Sequence, residues 1–472
     1  MEIKLFDDQE RSINLLRQSL ARNKSVMLQG ETGSGKSVMA SYMLSGSLKK
    51  GLRCAFIVPR KDLLYQMTQT FKSYDIEHSF VAAGHPFNPF SQMHLCSLGT
   101  LINRLDKINP QVVFIDEAHH ASNQLGEVIA HYKKNGAWII GLSATPEYPK
   151  GQSLDAHYDD LIQGPSVREL INMKRLSDYK LYSPSRPDFS KISIVAGDYA
   201  KGQIADFMEH DKVLIGDAVR QYKQVANGNL NLSFCTSIKH SHLTVEAFKN
   251  AGIPSVHMDG ETPENERRQI ARAYANHELL NICSVDLLCF GYDLSAASCI
   301  KTAVFESMSD LAPTMSRRKQ RQKYGRVLRY KDYPASISDH AGNVIKCDGT
   351  ENQGFPCKEV QWSLKGEKKG TREGVEKAVA VQSCSKCYWT APPWGLKCPN
   401  CGDVREVQSR EIEHIEGELV ELDKNAIMQQ KKEARQEQGK ARTLQELIAH
   451  GKKMGYAAGW AFKIYSSRKG KR

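Results

Sequence analysis

The chain has 472 residues, of which 40% are hydrophobic and 25% are charged. These values are ordinary for a globular protein and exclude disordered and fibrous classes, and the length favours about three domains. The formal net charge of +12 is concentrated in two segments. Residues 312–331 hold eight basic and no acidic side chains, and residues 424–472 hold thirteen basic and three acidic ones. Such segments commonly bind phosphate, so a nucleic acid is the expected partner.

Several features of the sequence exclude export or membrane insertion. No run of 18 apolar residues is present, so we predict no membrane span and no membrane partner. The acidic N-terminus, MEIKLFDDQERS, lacks the apolar stretch and cleavage site of a secretion signal. Eight of the twelve cysteines are scattered singly and four form two Cys-x-x-Cys pairs, which indicates reduced thiols and one metal site. We expect a cytoplasmic protein.

Short apolar runs alternate with helix-length segments from residue 24 to residue 145, which predicts a doubly wound α/β domain with a mostly parallel sheet. The predicted strands are 26–29, 54–58, 80–82, 94–96, 112–115 and 138–142, and two predicted helices are 36–50 and 61–74.

Proline and glycine interrupt this pattern between residues 150 and 200, and a second alternating block follows. Its predicted strands are 230–235, 253–258, 280–285 and 300–306, with helices at 241–250 and 263–276. We therefore predict the following segments: an α/β domain at 1–165, a linker at 166–200, a second α/β domain at 201–345, a Gly-rich segment with clustered cysteines at 346–403, and a charged helical tail at 404–472.

A phosphate-binding loop is the first motif that indicates chemistry. Residues 30–37, Gly-Glu-Thr-Gly-Ser-Gly-Lys-Ser, follow a predicted strand and precede a predicted helix. The glycines let backbone N–H groups face phosphate oxygens, Lys36 can reach the β- and γ-phosphates, and Ser37 can ligate Mg²⁺. The predicted nucleotide-binding residues of the loop are Gly30, Thr32, Gly33, Ser34, Gly35, Lys36 and Ser37.

Two carboxylates follow the predicted strand at 112–115. Ligands bind at this edge of an open parallel sheet, so Asp116 is a candidate Mg²⁺ ligand and Glu117 a candidate to polarise an attacking water. Ser143 and Thr145 end the next predicted strand at the same edge, where a hydroxyl can hydrogen-bond His119 and communicate the state of the nucleotide.

Together these motifs resemble those of the superfamily 2 helicases over roughly residues 5–345, and Asp116-Glu-Ala-His119 is similar to the DEAH form of their second motif. The resemblance implies two RecA-like domains in tandem, with ATP and Mg²⁺ bound between them. It also implies that Gln9 reads adenine and that Arg60 and Thr100 contact the nucleic-acid backbone.

The second block contains two further motifs of that family. Gly291-Tyr-Asp293-Leu is similar to G-[FI]-D-[LP], and residues 322–329 resemble Q-R-x-G-R-x-x-R, which implies that Arg326 and Arg329 are arginine fingers acting on ATP. Lys323 departs from the motif, which usually has Arg or an apolar residue there. The five basic residues that precede the fingers either track a phosphodiester backbone or form a solvated helix face; they are Arg317, Arg318, Lys319, Arg321 and Lys323.

The cysteine cluster has the spacing of a zinc ribbon, because two Cys-x-x-Cys turns can close a tetrahedral shell of four thiolates. The predicted zinc ligands are Cys384, Cys387, Cys398 and Cys401. Trp389 and Trp394 lie between the pairs and either stack on bases or cover the ribbon. Cys347 and Cys357 are predicted to be ordinary thiols.

Asp339-His-Ala-Gly-Asn343, followed by clustered cysteines, is similar to the bacterial and phage DEAD/DEAH-box helicases of the RadD type, which are linked to DNA repair. The basic tail either binds nucleic acid or docks a terminal helix. We expect a DNA-directed ATP-dependent helicase, favoured as a monomer but compatible with a partner protein. An RNA helicase and an ATP-gated nucleic-acid clamp remain alternatives.

Overall fold

The computed structural model describes residues 3–60, 62–119, 122–147, 153–184, 187–195, 197–286, 304–347, 351–365, 381–405, 437–438, 440–441, 443–454 and 459–469. The chain forms two compact units, Met1–Glu406 and Val407–Arg472. No helix in the described part of the chain is long and apolar enough to cross a membrane.

The first domain is built on a seven-stranded parallel sheet with the strand order β3-β4-β2-β5-β6-β1-β7. Its strands are β1 Ser25–Gln29, β2 Cys54–Val58, β3 Ser79–Val81, β4 Met93–Ser97, β5 Val112–Ile115, β6 Trp138–Ser143 and β7 Asp160–Gln163. Its helices are α1 Asp7–Leu20, α2 Lys36–Lys49, α3 Asp62–Ser73, α4 Leu98–Leu101 and α5 Asn123–Lys134, with a 3₁₀ helix at Leu105–Lys107.

Continuous apolar strands explain why this sheet is buried on both faces. Successive side chains of a strand point to opposite faces, so Phe56 and Phe114 join one core cluster while Ile57 and Val113 join the other. The carboxyl ends of the strands converge at one edge, which is where the predicted phosphate loop and carboxylates emerge.

The second domain contains a six-stranded parallel sheet with the order β12-β13-β11-β14-β15-β8. Its strands are β8 Tyr179–Tyr182, β11 Asn231–Phe234, β12 Ser255–His257, β13 Asn281–Ser284, β14 Ser307–Asp310 and β15 Ala335–Asp339. Its helices are α6 Val167–Asn172, α7 Lys201–His210, α8 Lys212–Val225, α9 Ile238–Asn250, α10 Glu264–Ala275 and α11 Arg317–Val327, and a small hairpin pairs β9 Ile194–Val195 with β10 Asp198–Tyr199. The predicted tandem of doubly wound parallel-sheet domains is thus confirmed.

Two features of the second sheet differ from the sequence prediction. Of the strand predicted at 300–306, residues 300–303 lie outside the described residues, and the described part is followed by β14, whose sequence Ser-Met-Ser-Asp has no apolar run. It is nevertheless buried, because Ser307 Oγ donates to Asn231 Oδ1 at 2.9 Å and Asn231 Nδ2 donates to Asn281 Oδ1 at 2.9 Å. The segment 166–200, predicted as a linker, supplies α6 and the edge strand β8, which pairs with β15.

The cysteine-rich segment forms a small hairpin of β16 Gln382–Ser383 and β17 Thr390–Ala391. It covers the free edge of β8, where Ser183 N donates to the carbonyl of Tyr388 at 3.0 Å and Lys180 Nζ donates to Asn400 Oδ1 at 3.0 Å. An uncovered edge strand can pair with another chain, so this placement protects the sheet.

The second unit, where it is described, consists of two helices, α12 Leu444–Lys453 and α13 Trp460–Lys469. A capping box between Thr443 and Glu446 begins α12. Leu447 and Ala461 are buried between the helices. Gly451 lies against Trp460, so this aromatic side chain packs within the unit.

Candidate nucleotide site and cysteine cluster

The loop between β1 and α2 has the backbone shape that phosphate binding requires. Gly33 and Gly35 have φ values of +88° and +86°, which glycine adopts without strain. Lys36 Nζ donates to the carbonyls of Gly30 at 2.9 Å and Glu31 at 3.3 Å, so the ammonium lies inside the loop. Ser34 Oγ is buried without a hydrogen-bond partner among the described residues, and a phosphate oxygen would satisfy it.

Gln9 lies against this loop, where its Nε2 donates to the carbonyl of Ser34 at 3.0 Å and its Oε1 accepts from Phe6 N at 3.1 Å. Arg175 of the second domain packs on Phe6, with its guanidinium carbon 3.2 Å from the Phe6 ring centroid. Neither Phe6 nor Arg175 carries a sequence signal that marks it. The adenine-reading role of Gln9 stays a prediction.

Asp116 and Glu117 follow β5 directly opposite the loop. Glu117 has a φ of +46°, an unusual backbone conformation that turns the chain at the end of the strand. Burial, together with the charge of Glu117, raises the pKa of Asp116 to about 7, while Lys36 opposes that shift. Burial lowers the pKa of Lys36, and Glu117 and Asp116 oppose this. Two carboxylates held this close suit a divalent cation, so the residues present fit Mg²⁺.

The predicted contact between His119 and the hydroxyl of Ser143 is present. His119 Nδ1 lies 2.8 Å from Ser143 Oγ and 3.3 Å from Glu117 Oε2. Thr145 N donates to Ser143 Oγ at 3.1 Å, while Thr145 Oγ1 is buried without a hydrogen-bond partner among the described residues. The His119 imidazole therefore connects the carboxylate motif with the segment that contains Ser143 and Thr145.

Helix α11 of the second domain packs directly on the phosphate loop. A Cβ atom on Gly325 would lie 2.4 Å from Thr32 Cβ, so only glycine permits this approach. Arg326 is buried, and its charge is among those acting on Lys36. Arg329 Cγ lies 3.9 Å from the position that a Cβ on Gly33 would take. The side chain of Arg329 thus lies beside the loop, and the finger role of Arg326 and Arg329 stays a prediction. Gly291 and Asp293 lie outside the described residues.

The basic run on α11 is not the free basic face that the sequence suggested. Lys319 Nζ lies 2.8 Å from Asp198, and Arg321 Nη1 lies 3.0 Å from Glu31. Acidic partners from distant parts of the chain thus pair with this helix, and the contact of Lys319 and Arg321 with nucleic acid stays a prediction. For Arg317 and Arg318 nucleic-acid contact stays a prediction.

The predicted nucleic-acid contacts of the first domain lie at its strand ends. Arg60 follows β2, and Thr100 lies on α4. Thr100 Oγ1 accepts hydrogen bonds from Ala83 N at 3.2 Å and Ser97 Oγ at 3.0 Å. Their contact with a polymer stays a prediction.

Lys323, the departure from the family motif, is buried in the second domain and pairs with Asp310 at 2.6 Å. We expect Lys323→Met to destabilise the protein by about 3 kcal/mol, because it leaves a buried carboxylate uncompensated. Urea unfolding measures the effect. Lys319→Met is the matched control, since its partly exposed pair should cost less than about 1 kcal/mol. Equal stabilities of the two variants would contradict the prediction.

The four predicted zinc ligands converge, with all four Sγ atoms within 4.8 Å of one another. Cys384 Sγ lies 3.7 Å from Cys401 Sγ, and Cys387 Sγ lies 3.9 Å from Cys398 Sγ. A tetrahedral zinc with bonds of about 2.3 Å requires sulfurs about 3.8 Å apart, so the cluster fits that metal. Trp389 packs against the cysteines and covers the ribbon. Among the described residues this is the one cluster found with metal-ligand geometry.

We expect metal analysis to find one zinc ion per chain, lost in a Cys398→Ser variant, because a closed four-thiolate site folds a segment too small for its own core. Thermal melting should show a lower midpoint for that variant, since the ribbon covers β8. Cys347→Ser is the control and should retain zinc, because Cys347 is exposed and outside the cluster. Full zinc content in the Cys398→Ser protein would refute the assignment.

Comparisons with known proteins agree with this geometry. Residues 2–148 match the family described as type III restriction enzyme, res subunit. A 51.5 kDa protein of a Lactococcus phage (isolate 7-9) is 30% identical over 406 residues, which cover 85% of this chain and 83% of that protein. The putative ATP-dependent helicase IRC3 of Saccharomyces cerevisiae is 25% identical over 339 residues, which cover 67% of this chain and 48% of IRC3.

Among solved structures, the DNA-bound ATP-dependent type ISP restriction-modification enzyme LlaBIII shares the fold, with a TM-score of 0.50 and 15% identity. The match covers 71% of this chain and 27% of that one. The family match and the helicase relative, together with a phosphate loop beside two parallel-sheet domains, support an ATP-driven enzyme of the helicase class. With the 51.5 kDa phage protein as a relative over most of both chains, the protein belongs to the superfamily 2 helicases.

Proposed function

We propose that the protein hydrolyses ATP with Mg²⁺ between its two RecA-like domains and uses the energy to translocate on or unwind DNA. The observation that carries this proposal is that helix α11, which bears Arg326, packs on the phosphate loop that holds Lys36, at the strand edge where Asp116 and Glu117 lie. Each supplies one element of phosphoryl transfer: charge neutralisation, metal ligation, water activation and stabilisation of the transition state.

In this reaction Mg²⁺ bound to ATP would neutralise charge on the β- and γ-phosphates. Ser37 and Asp116 are the residues that would hold the ion. Lys36, which now donates to carbonyls of its own loop, would transfer those hydrogen bonds to phosphate oxygens. Glu117 would accept a proton from the attacking water, with its orientation fixed by the neighbouring His119.

Closure of the cleft would couple hydrolysis to movement, because Arg326 and Arg329 reach the phosphate loop only when α11 packs on it. Arg60, Thr100, Arg317 and Arg318 would contact the backbone of the polymer. The basic segment 424–472 would add salt-dependent affinity.

DNA is favoured over RNA because the fold neighbour LlaBIII is bound to DNA and a relative of lower coverage is the replication restart protein PriA of Bacillus subtilis, 26% identical over 145 residues. The similarity to RadD-type helicases adds a role in replication, recombination or repair. A monomeric motor would be compatible with a partner protein.

The test is ATP turnover with single-stranded, duplex and forked DNA and with RNA as effectors. We expect DNA to raise turnover many-fold, with Lys36→Ala as the inactive control. A larger effect of RNA would establish the RNA helicase instead. Turnover indifferent to both polymers would refute the proposal.

A further inference from the structure

Glu31, inside the phosphate loop, is engaged through both its backbone and its side chain. Its carbonyl accepts from Lys36 Nζ at 3.3 Å, and its carboxylate accepts from Arg321 Nη1 at 3.0 Å. Gln29 Nε2 donates to the same carboxylate at 3.3 Å and to the carbonyl of Ala144 at 3.2 Å. Glu31 thus connects Lys36, the second domain and, through Gln29, the segment that contains Ser143 and Thr145.

The ion pair is buried although its members belong to different domains. The side chains of Glu31 and Arg321 are 9% and 8% exposed. Burial makes each charge dependent on the other, because removal of one partner leaves the other uncompensated. When the cleft opens, water can solvate both groups. Separation of the two domains would therefore break the pair, and within the observed arrangement its charges favour the observed register of α11 on the loop.

Arg321 precedes Arg326 on the same helix, and Arg329 follows shortly after the helix ends at Val327. Because an α-helix transmits displacement as a rigid rod, a shift at Arg321 moves Arg326 by a similar amount. The contact of Gly325 with Thr32 limits how closely α11 approaches the loop, whereas the ion pair limits how far α11 slides along it. Together the two contacts determine where the fingers lie.

Arg321 also contacts residues 351–365, a segment that we name the strap. The second guanidinium nitrogen of Arg321 donates to the carbonyl of Lys358, and the guanidinium lies 5.8 Å from the Trp362 ring centroid. At its start the strap is attached to the second domain, where Gln320 Nε2 donates to the carbonyl of Gly354 at 3.1 Å.

At its other end the strap is attached to the first domain. Trp362 N donates to Gln163 Oε1 at 3.2 Å, and Gln163 Nε2 donates back to the Trp362 carbonyl at 3.4 Å. The Leu364 carbonyl accepts from Leu154 N at 2.6 Å, and its side chain packs on the core of the first domain. The strap therefore contacts both domains beside the nucleotide cleft, and Arg321 contacts the middle of the strap.

We propose that the Glu31–Arg321 pair is a positioning device that sets the register of the arginine-finger helix on the phosphate loop and ties that register to the strap. In this role Arg321 acts through Arg326 and is a positioning residue. The inference rests on the proposed ATPase function for its kinetic part, but the strap contact can be measured without turnover.

The kinetic test compares wild type, Glu31→Gln, Arg321→Gln and the double variant in saturating DNA. Each single variant should lower kcat by about tenfold to a hundredfold, because a finger displaced by about 1 Å stabilises the transition state poorly. KM for ATP should stay within about threefold, since the pair does not contact the nucleotide, and the double variant should resemble the worse single one.

Arg220→Gln is the matched control, because Arg220 pairs with Asp217 on its own helix, and it should keep the wild-type kcat. Arg321→Lys is a second variant that keeps the positive charge, and it tests the inference even when Arg321→Gln fails to fold. Its single ammonium cannot reproduce the planar fork that serves both Glu31 and Lys358, so kcat should be intermediate. Wild-type kcat in both single variants, or effects that multiply in the double variant, would overturn the inference.

Hydrogen–deuterium exchange over 358–365 separates the inference from the proposed function. Exchange of the Trp362 amide should accelerate in Arg321→Gln and remain at the wild-type rate in Arg220→Gln. An inactive wild type with this pattern would refute the ATPase proposal while retaining the link to the strap. An unchanged exchange rate of the Trp362 amide in Arg321→Gln would show that the ion pair does not control the strap.

Discussion

Glu117→Gln is expected to lower ATP turnover by about 10²–10⁴-fold, because the variant loses the base that accepts a proton from the attacking water. Binding of ATP should persist within a few fold, since Lys36 and the loop amides are unchanged. Glutamine matches glutamate in shape, so the strained backbone at this position, with its φ of +46°, should be retained. Steady-state turnover and equilibrium binding of a fluorescent ATP analogue measure the two effects separately.

Glu127→Gln is the matched control, because Glu127 is exposed on α5 of the same domain and lies outside the site. It should hydrolyse ATP at the wild-type rate. Normal turnover in Glu117→Gln would remove Glu117 from its proposed role, whereas loss of ATP binding would indicate that its charge holds the nucleotide rather than activating water.

Arg326→Ala is expected to lower kcat by about 10³–10⁵-fold, the range that arginine fingers supply by stabilising charge on the transferring phosphoryl group. Arg326→Lys should recover only a small part of this loss, because an ammonium lacks the planar donor fork. The measurement is single-turnover hydrolysis, which isolates the chemical step from product release.

Arg272→Ala controls for loss of positive charge from the second domain, since Arg272 is exposed on α10. It should retain the wild-type single-turnover rate. An Arg326→Ala protein that still hydrolyses ATP within tenfold of wild type would show that the finger lies elsewhere, and Arg329 would then be examined in the same way.

The first domain could be predicted well from sequence because its central strands, such as β2 and β5, are short uninterrupted apolar runs. Its phosphate loop is equally local, since glycine positions and one lysine define its shape. The cysteine cluster was predicted for the same reason: two turns of fixed spacing place four thiolates close together.

The second domain was harder to predict because several of the residues buried in its sheet are polar. Asn231 and Ser307 lie inside the sheet through hydrogen bonds between strands that are far apart in sequence, so β14 has no apolar signature. The edge strand β8 is only four residues long and lies in a proline-interrupted segment.

The roles of the basic residues also depended on contacts that no local pattern reveals. Lys319, Arg321 and Lys323 belong to one basic run, yet each pairs with a different acidic residue. The charge of residues 312–331 is therefore partly neutralised within the protein. We expect the tail at 424–472 to supply more of the cationic charge that meets nucleic acid.

Translocation driven by ATP is the most direct test of the account. DNA carrying a biotin at one end is bound to streptavidin, and release of streptavidin is followed with ATP, with a non-hydrolysable analogue and with the Glu117→Gln protein. We predict release by the wild-type protein in ATP alone. ATP hydrolysis stimulated by DNA without any release, from either end of the strand, would contradict the motor and favour an ATP-gated clamp.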